Sequence, residues 1–300
     1  MAKAIPALRG SVCAAGAMVA AGSSAAVSPL VVNYPWFAGQ FWRYLVAALA
    51  LLPLCRRGAW PRLGGRGWGR VLLLVATGNV GFNLCLLQAV RRADPTAVGA
   101  AVGAAPVLLA LLGPLLGPLL GAAGGRRRPS PRILTAALLA FAGLLVARSA
   151  AVATGAGLCW ALGALVCETC FSLLAVELVD RLGAARLSAV VCLGAALAFG
   201  TGALLTERQQ VLRLPTGTEL AAFGYLALVV TSLAFFLWYR AVGGLGVARA
   251  GLFVGLLPLG ALLTGPLLGT GRLTAAGALG ALLVAGAVLW GVTAPGPDTP

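Results

Sequence analysis

A stretch of this sequence reappears 152 residues further on without a gap, and that regularity limits the chain to few architectures. Ala89-Val90 falls on Ala241-Val242, Gly99 on Gly251, Gly103 on Gly255 and Pro106 on Pro258. The run Gly113-Pro114-Leu115-Leu116-Gly117 falls on Gly265-Pro266-Leu267-Leu268-Gly269. Two apolar halves with the same glycines and prolines at the same spacing mark a membrane transporter built by duplication, with its path between the halves.

Lipid is the medium this composition suits. Charged residues make up 10% of the chain and hydrophobic ones 60%, where a soluble domain carries about 25% charge. The net charge of +15 does not point to nucleic acid, because the basic residues lie mostly in short loops between apolar spans, where they orient a membrane protein. The seven cysteines are scattered, and Cys167-Glu168-Thr169-Cys170 lies mid-span with no second Cys pair and no His anywhere. Zinc, redox and haem sites therefore lack ligands, and no metal or cofactor is expected.

A hydrocarbon core of roughly 30 Å takes about 20 apolar residues per helix. That ruler places spans near 10–32, 36–54, 71–90, 95–118, 133–149, 152–175, 187–206, 219–239, 247–269 and 273–292. Gly10, Ala14 and Gly16 fall on Gly157, Ala161 and Gly163 at a shift of 147, so the first span is expected to be a helix of the first repeat and not a cleaved leader. The expected organisation is a repeat over 8–149, a second over 150–292 and a short disordered cytoplasmic tail at 293–300.

Charge then orients the spans. With the start in the cytoplasm, the inner loops hold Lys3, Arg9, Arg56, Arg57, Arg62, Arg66, Arg70, Arg126, Arg127, Arg128, Arg132, Arg181, Arg186, Arg240 and Arg249. The outer loops hold only Arg91, Arg92, Arg148, Arg208, Arg213 and Arg272. This asymmetry follows the positive-inside rule and puts both termini in the cytoplasm. Five spans per half is an odd number, so the second repeat enters the membrane inverted. The expected fold is all-α, ten transmembrane helices in two inverted five-helix repeats, in the plasma membrane.

Several intramembrane residues are candidates for the path. Asn79 and Asn83 lie four apart, on one face of span three. Span one offers Ser23 and Ser24, span six Trp160, Glu168 and Ser172, and span eight Thr231, Ser232, Trp238 and Tyr239. Two charges lie deep, and each costs at least about 2.5–3.5 kcal/mol to place in a membrane. Arg43 lies ~3 Å outward of its span centre and Glu168 ~7–8 Å inward of its own, so separate roles are expected. Arg43 reads as a structural anchor to backbone carbonyls. Glu168 is the one carboxyl deep enough to bind and release a proton during transport; the alternative is a permanently neutral or inward-snorkelling side chain. Glu177 and Arg181, four apart beyond span six, read as a surface pair. Pro106 and Pro258 lack an N–H, so the carbonyls of Val102 and Val254 are expected to lose their helical partners. Either prolines line the path as paired kinks or they bend the helices statically. The Gly99/Gly103, Gly113/Gly117, Gly251/Gly255 and Gly265/Gly269 pairs suit close helix packing.

Taken together, two five-helix repeats, Arg43 in span two and a proline midway along spans four and nine resemble the drug/metabolite transporter superfamily, in its EamA-domain branch. The phrase Leu237-Trp238-Tyr239-Arg240-Ala241-Val242, then Gly246-Val247-Ala248-Arg249-Ala250 and Pro258, is similar to that branch's second-repeat motif, and Gly277, Gly280 and Gly286 fit its last helix. The resemblance covers about residues 8–292. It departs where family members commonly carry Leu-Gly-Glu: this chain has Leu116-Gly117-Pro118 and Leu268-Gly269-Thr270, and any coupling that uses those acids is missing.

The resemblance implies a cavity lined by spans one, three, four, six, eight and nine, and transport, most often export, of a small molecule. Hydroxyls, amides and aromatics with one acid suit a neutral or amphipathic metabolite, amino acid or drug. No phosphate-binding G-x-x-x-x-G-K-[ST] loop is present, so secondary transport by alternating access is expected. Partners are a small-molecule substrate and the lipid bilayer, with a homodimer left open. A lipid or polyprenyl-carrier flippase of the same fold and a non-transporting membrane scaffold remain alternatives. No acid pair, Ser/Lys dyad or metal cluster appears in any loop, so an enzyme is not expected.

Overall fold

A computed structural model describes residues 4–55, 60–92, 98, 101–116, 130–146, 155–269 and 275–293. Among these residues the regular elements are all helical, and no strand occurs. Helix α1, Ala4–Gly22, continues through Ser24–Val27 and a 3-10 turn at Ser28–Val31. Next come α2, Trp36–Cys55, and α3, Gly65–Val90. Two shorter helices follow, α4 at Ala105–Leu116 and α5 at Pro131–Val146.

The stretch Gly155–Thr206 is helical throughout except at Gly183, whose φ of 75° and ψ of 160° are not helical. An unbroken helix of that length would run about 78 Å, far beyond a bilayer core. Gly183 divides it into α6, 155–182, and α7, 184–206. Then follow α8, Gly217–Leu245, α9, Val247–Thr264, and α10, Ala275–Val292.

Among the described residues, six helical stretches are long and apolar enough to cross a membrane: Leu8–Val31, Trp36–Cys55, Gly65–Val90, Gly155–Thr206, Gly217–Leu245 and Val247–Thr264. Their outer surfaces and that of α10 carry exposed Leu72, Leu197, Leu204, Leu205, Leu282 and Leu289, an apolar belt that only lipid or a partner could cover. The interior is built of small residues, with Ala14, Ala17, Ala38, Ala47, Ala136, Ala164 and Ala175 fully buried. Small residues let membrane helices approach until dispersion contacts hold them.

Several ends differ from those expected. Helix α3 begins at Gly65, before the expected 71; α6 runs to 182 and α8 to 245, both beyond the apolar ruler. A hydrophobicity ruler stops at the first charges, whereas a helix continues until its backbone breaks, here at Gly183 and at Gly246, φ 77°. Gly99, Gly117, Pro118, Arg148, Thr270, the Arg126-Arg127-Arg128 cluster and residues 294–300 lie outside the described residues.

Most of the principal contacts join one half to the other, although α8 also packs on the 155–206 stretch of its own half. Helix α1 packs on α8, α4 on α9 and α5 on α10. Helix α2 meets α7, where a Cβ on Gly200 would press on Phe41 and one on Gly202 on Phe37. Helix α3 meets α6 at Gly78, where a Cβ would fall on the Phe171 ring. Of the small-residue pairs, Gly113 and Gly251 do pack α4 against α9, facing Val247 and Leu109. The tightest backbone approach lies elsewhere: added Cβ atoms would strike the Leu257 carbonyl from Gly22, and Val19 and Ser23 backbone from Gly260, so α1 and α9 touch main chain to main chain.

Pro106 and Pro258 do not stand within continuous helices. Each is the second residue of a helical segment that restarts after a break, a turn at 103–104 in one half and a 3-10 turn at Phe253–Leu256 in the other. In a first turn the missing N–H has no helical partner to lose. The Val254 carbonyl, expected to be bare, accepts from the Leu257 N–H through the 3-10 turn.

A second matched irregularity was not foreseen. Val75–Gly81 in α3 and Leu226–Leu233 in α8 are π-helical, and they occupy positions 152 residues apart to within one residue. In the second, the hydroxyls of Thr231 and Ser232 donate to the carbonyls five residues back, of Leu226 and Ala227, at 2.8 Å each. Such wide turns free backbone groups and recur at functional sites.

Candidate functional site

The two π-helical turns bring together a polar cluster at the meeting of α2, α3, α6, α7 and α8. Asn79 and Thr231 sit at equivalent positions of the two turns, and both are fully buried. The Nε of Arg43 donates to Thr231 Oγ1 at 2.7 Å, and its guanidinium lies 5.5 Å from the Tyr44 ring centroid. Arg43 is thus anchored, but to a side-chain hydroxyl where backbone carbonyls were expected. From α3, Asn83 Nδ2 donates to the Asn79 carbonyl at 2.7 Å and to Tyr44 Oη at 3.3 Å.

An aromatic layer surrounds these groups. Tyr44 stacks on Phe199 of α7 with centroids 5.6 Å apart. Phe171 of α6 lies 5.7 Å from both Phe235 and Tyr239 of α8. Phe235 is the position equivalent to Asn83, and both contact Tyr44. The halves therefore share a backbone plan and differ in chemistry, amides on one side and a hydroxyl and an aromatic ring on the other.

What the cluster leaves undone is as informative as what it bonds. Both side-chain polar atoms of Asn79, Ser172 Oγ, Trp238 Nε1 and Tyr239 Oη are buried with no hydrogen-bond partner. A buried, unpaired polar group costs about 1–3 kcal/mol. Such groups at one helix meeting call for water or a ligand polar enough to satisfy them. Glu168 is half-buried, one turn before Ser172, makes no hydrogen bond or ion pair among the described residues, and lies within electrostatic reach of Tyr239. Arg43 and Glu168 do not pair with each other.

The other described carboxylates are mostly committed. Glu207 accepts from the Phe37 and Ala38 N–H groups at 2.9 and 2.8 Å, capping α2 from the end of α7. Glu219 forms a capping box with Thr216 at the start of α8 and a 2.9 Å ion pair with Arg213. Glu177, expected on the surface, is buried and bridges Arg70 of α3 to Arg181 of its own helix. The cue for that pairing was Arg70 at the start of α3, but no spacing rule links it to residue 177.

Not every expected residue joins the cluster. Ser23 lies at the break in α1, donates to the Ala20 carbonyl at 2.7 Å and shares a 2.8 Å hydrogen bond with Tyr225, one residue before the α8 π turn. Ser24 is half-buried beside it. Trp160 stands apart: it is exposed, twelve residues and so about 18 Å along α6 from Ser172. Tyr44, Phe171, Phe199, Phe235 and Tyr225 were missed, because aromatic residues in apolar spans look like ordinary packing until the neighbouring helices are in place.

Two clefts flank the cluster. One, about 500 Å³, opens at the Gly183 end between α6, α7 and α8, with Tyr239 in its wall. The other, about 400 Å³, lies at the Arg213 end among Tyr34, Trp42, Leu214 and Phe223. That second end is laced: Tyr34 Oη donates to the Arg213 carbonyl at 2.6 Å, and the Arg213 guanidinium donates to the Asn33 carbonyl at 2.8 Å while it holds Glu219.

Long apolar helices paired between two repeats, breaks at matched places and an unsatisfied polar cluster between the halves define a multi-pass membrane transporter. The EamA-like transporter family model matches residues 8–149 and 155–293. A relative named "Uncharacterized transporter YetK", from Bacillus subtilis (strain 168), is 30% identical over 259 residues, covering 83% of this chain and 76% of that protein. The chain belongs to the EamA-like transporter family. A solved structure titled "Crystal structure of protein" shares the fold with a TM-score of 0.75 at 19% identity, covering 95% of this chain and 96% of that one.

Proposed function

We propose that this chain is a secondary transporter of the plasma membrane that exports a small neutral or amphipathic metabolite, amino acid or drug by alternating access. In this reading ten spans form two inverted five-helix repeats with both termini cytoplasmic, and the solute passes between α3 and α6 on one side and α8 and α1 on the other. The observation that carries it is the set of buried, unpartnered polar atoms on Asn79, Ser172, Trp238 and Tyr239. They would be satisfied by solute or water in a state the transport cycle visits. The laced Arg213 end and the open cleft at the Gly183 end suit a conformation closed to the outside and accessible from the cytoplasm.

Secondary transport follows from the absence of a phosphate-binding loop in the sequence; the driving force is then a gradient. Glu168, the deep carboxyl left uncommitted by the described ion pairs, is the coupling residue in this scheme. An untargeted comparison of metabolites inside and outside cells with and without the protein tests the reading. A solute that accumulates in the cells lacking it, and falls in their medium, supports export. Identical pools in both strains, with faster scrambling of a labelled lipid in vesicles containing the protein, would favour a flippase.

A further inference from the structure

The cluster around Asn79 combines flat apolar rings with amide edges, and that combination narrows the class of ligand it can satisfy. Asn83 and Phe235 occupy equivalent positions of the two halves, both are half-buried, and both contact Tyr44. Phe235 meets Tyr44, Phe171 and Tyr239 at interplanar angles of 52°, 51° and 64°. None of these rings stacks on it, whereas Tyr44 and Phe199 stack at 7°. The Asn83 amide is committed on its donor side, because its Nδ2 bonds the Asn79 backbone carbonyl and the Tyr44 hydroxyl. Its Oδ1 accepts from no described residue.

One turn away, Asn79 holds a whole amide in reserve, a donor beside an acceptor, 0% exposed and without a partner. An amide is complemented by an acceptor and a donor side by side in one plane, the pairing by which asparagine reads the edge of adenine. Ser172, Trp238 and Tyr239 add unpartnered hydroxyl and N–H groups, all uncharged at neutral pH. The two charged groups nearby, Arg43 bonded to Thr231 and Glu168 a turn before Ser172, bond neither amide.

We propose that the cluster binds a planar, uncharged heteroaromatic with an N–H donor beside a carbonyl or ring-nitrogen acceptor, the pattern of a nucleobase. Its ring lies on Phe235, its edge pairs with the Asn79 amide, and Asn83 Oδ1 accepts from a further donor. Aromatic side chains hold bases by stacking whatever their sequence, and an amide that also finds its partners in the dry interior discriminates sharply against analogues that leave it unpaired. The inference rests on the transporter reading for the passage of such a solute, but its binding can be measured apart from passage.

The test uses the full chain, purified and placed in phosphatidylcholine nanodiscs for binding and in proteoliposomes for counterflow. The ligands are adenine, uracil, dihydrouracil and N,N′-dimethyluracil, with amino acids and amphipathic drugs added in counterflow. Dihydrouracil keeps the hydrogen-bonding edge of uracil and loses the aromatic ring; dimethyluracil keeps the ring and has no N–H. Adenine and uracil should bind wild type, and dihydrouracil and dimethyluracil should each bind at least about five-fold more weakly than uracil, for lost stacking and for an unpaired Asn79 carbonyl. Uracil should bind Phe235→Leu no better than dihydrouracil does, and Asn79→Leu no better than dimethyluracil does. Each comparison sets two ligands against one protein preparation, so a smaller folded fraction does not alter it, and the wild-type series needs no variant at all. Failure of wild type to bind either base, or binding of both analogues as tightly as uracil, overturns the inference, and exchange of amino acids or drugs in the same vesicles would then leave the transporter reading standing. Base binding in the predicted order without exchange of any compound supports the site and overturns the transporter reading instead.

Discussion

Asn79 concentrates the account at the scale of single residues. Its amide is fully buried and wholly unpartnered, while its own backbone carbonyl holds Asn83. Replacing an unsatisfied polar side chain by an apolar one of similar size removes a desolvation cost. Asn79→Leu is therefore expected to unfold at the same or a higher temperature than wild type, by up to about 1 kcal/mol, while solute transport falls at least about ten-fold. A residue that served only the fold would show the reverse. Glu168 invites a separate experiment, because the other buried carboxylates described are tied to arginines. Transport by Glu168→Gln in reconstituted vesicles should lose its dependence on pH between about 5 and 8. An unchanged rate with an unchanged pH profile would return Glu168 to a purely structural role. The paired amides, Glu168 and Tyr239 were legible from polarity inside apolar spans, since such residues are costly wherever they sit. Trp160 was misplaced by the same reasoning, because an indole is at home at a lipid surface as well as in a cavity.

The scale of helices shows where sequence periodicity succeeds and where it stops. Matched prolines were visible as letters, but whether they kink a helix or restart one depends on the hydrogen bonds around them. The 3-10 turn that satisfies Val254 has no signature of its own. The π turns were equally invisible, although Asn79 and Thr231 mark them at equivalent positions. The proline breaks fall in α4 and α9 and the π turns in α3 and α8, and all four of these helices pack across the repeats, α4 on α9, α3 on α6 and α8 on α1. If the breaks at 103–106 and 253–258 allow α4 and α9 to adopt two arrangements, Pro106→Ala with Pro258→Ala should let the helices run on and bias one of them. Normal yield and membrane insertion are expected, with transport lowered several-fold. Full activity in the double variant would show that the breaks only set shape.

At the scale of the whole molecule, duplication was the most legible property, since the 152-residue offset reappears in the matched prolines and π turns. Orientation rests on arginine counting and has a direct check. In a chain stripped of native cysteines, Cys introduced at Asn33 or at Leu214, both exposed, should react with an impermeant thiol reagent applied to intact cells, and Cys at Gly125 should not. The opposite pattern would invert the topology. Leu214 is preferred over Thr216, whose hydroxyl caps α8.

The central claim is that a solute crosses between the repeats through the Asn79 cluster. Solute counterflow in proteoliposomes, run with a panel of amino acids, nucleosides and amphipathic drugs, measures it most directly. At least one panel member should exchange against its labelled form in wild-type vesicles, and the exchange should fall at least about ten-fold in Asn79→Leu with the protein still folded. Exchange that is equally fast in Asn79→Leu would contradict the account.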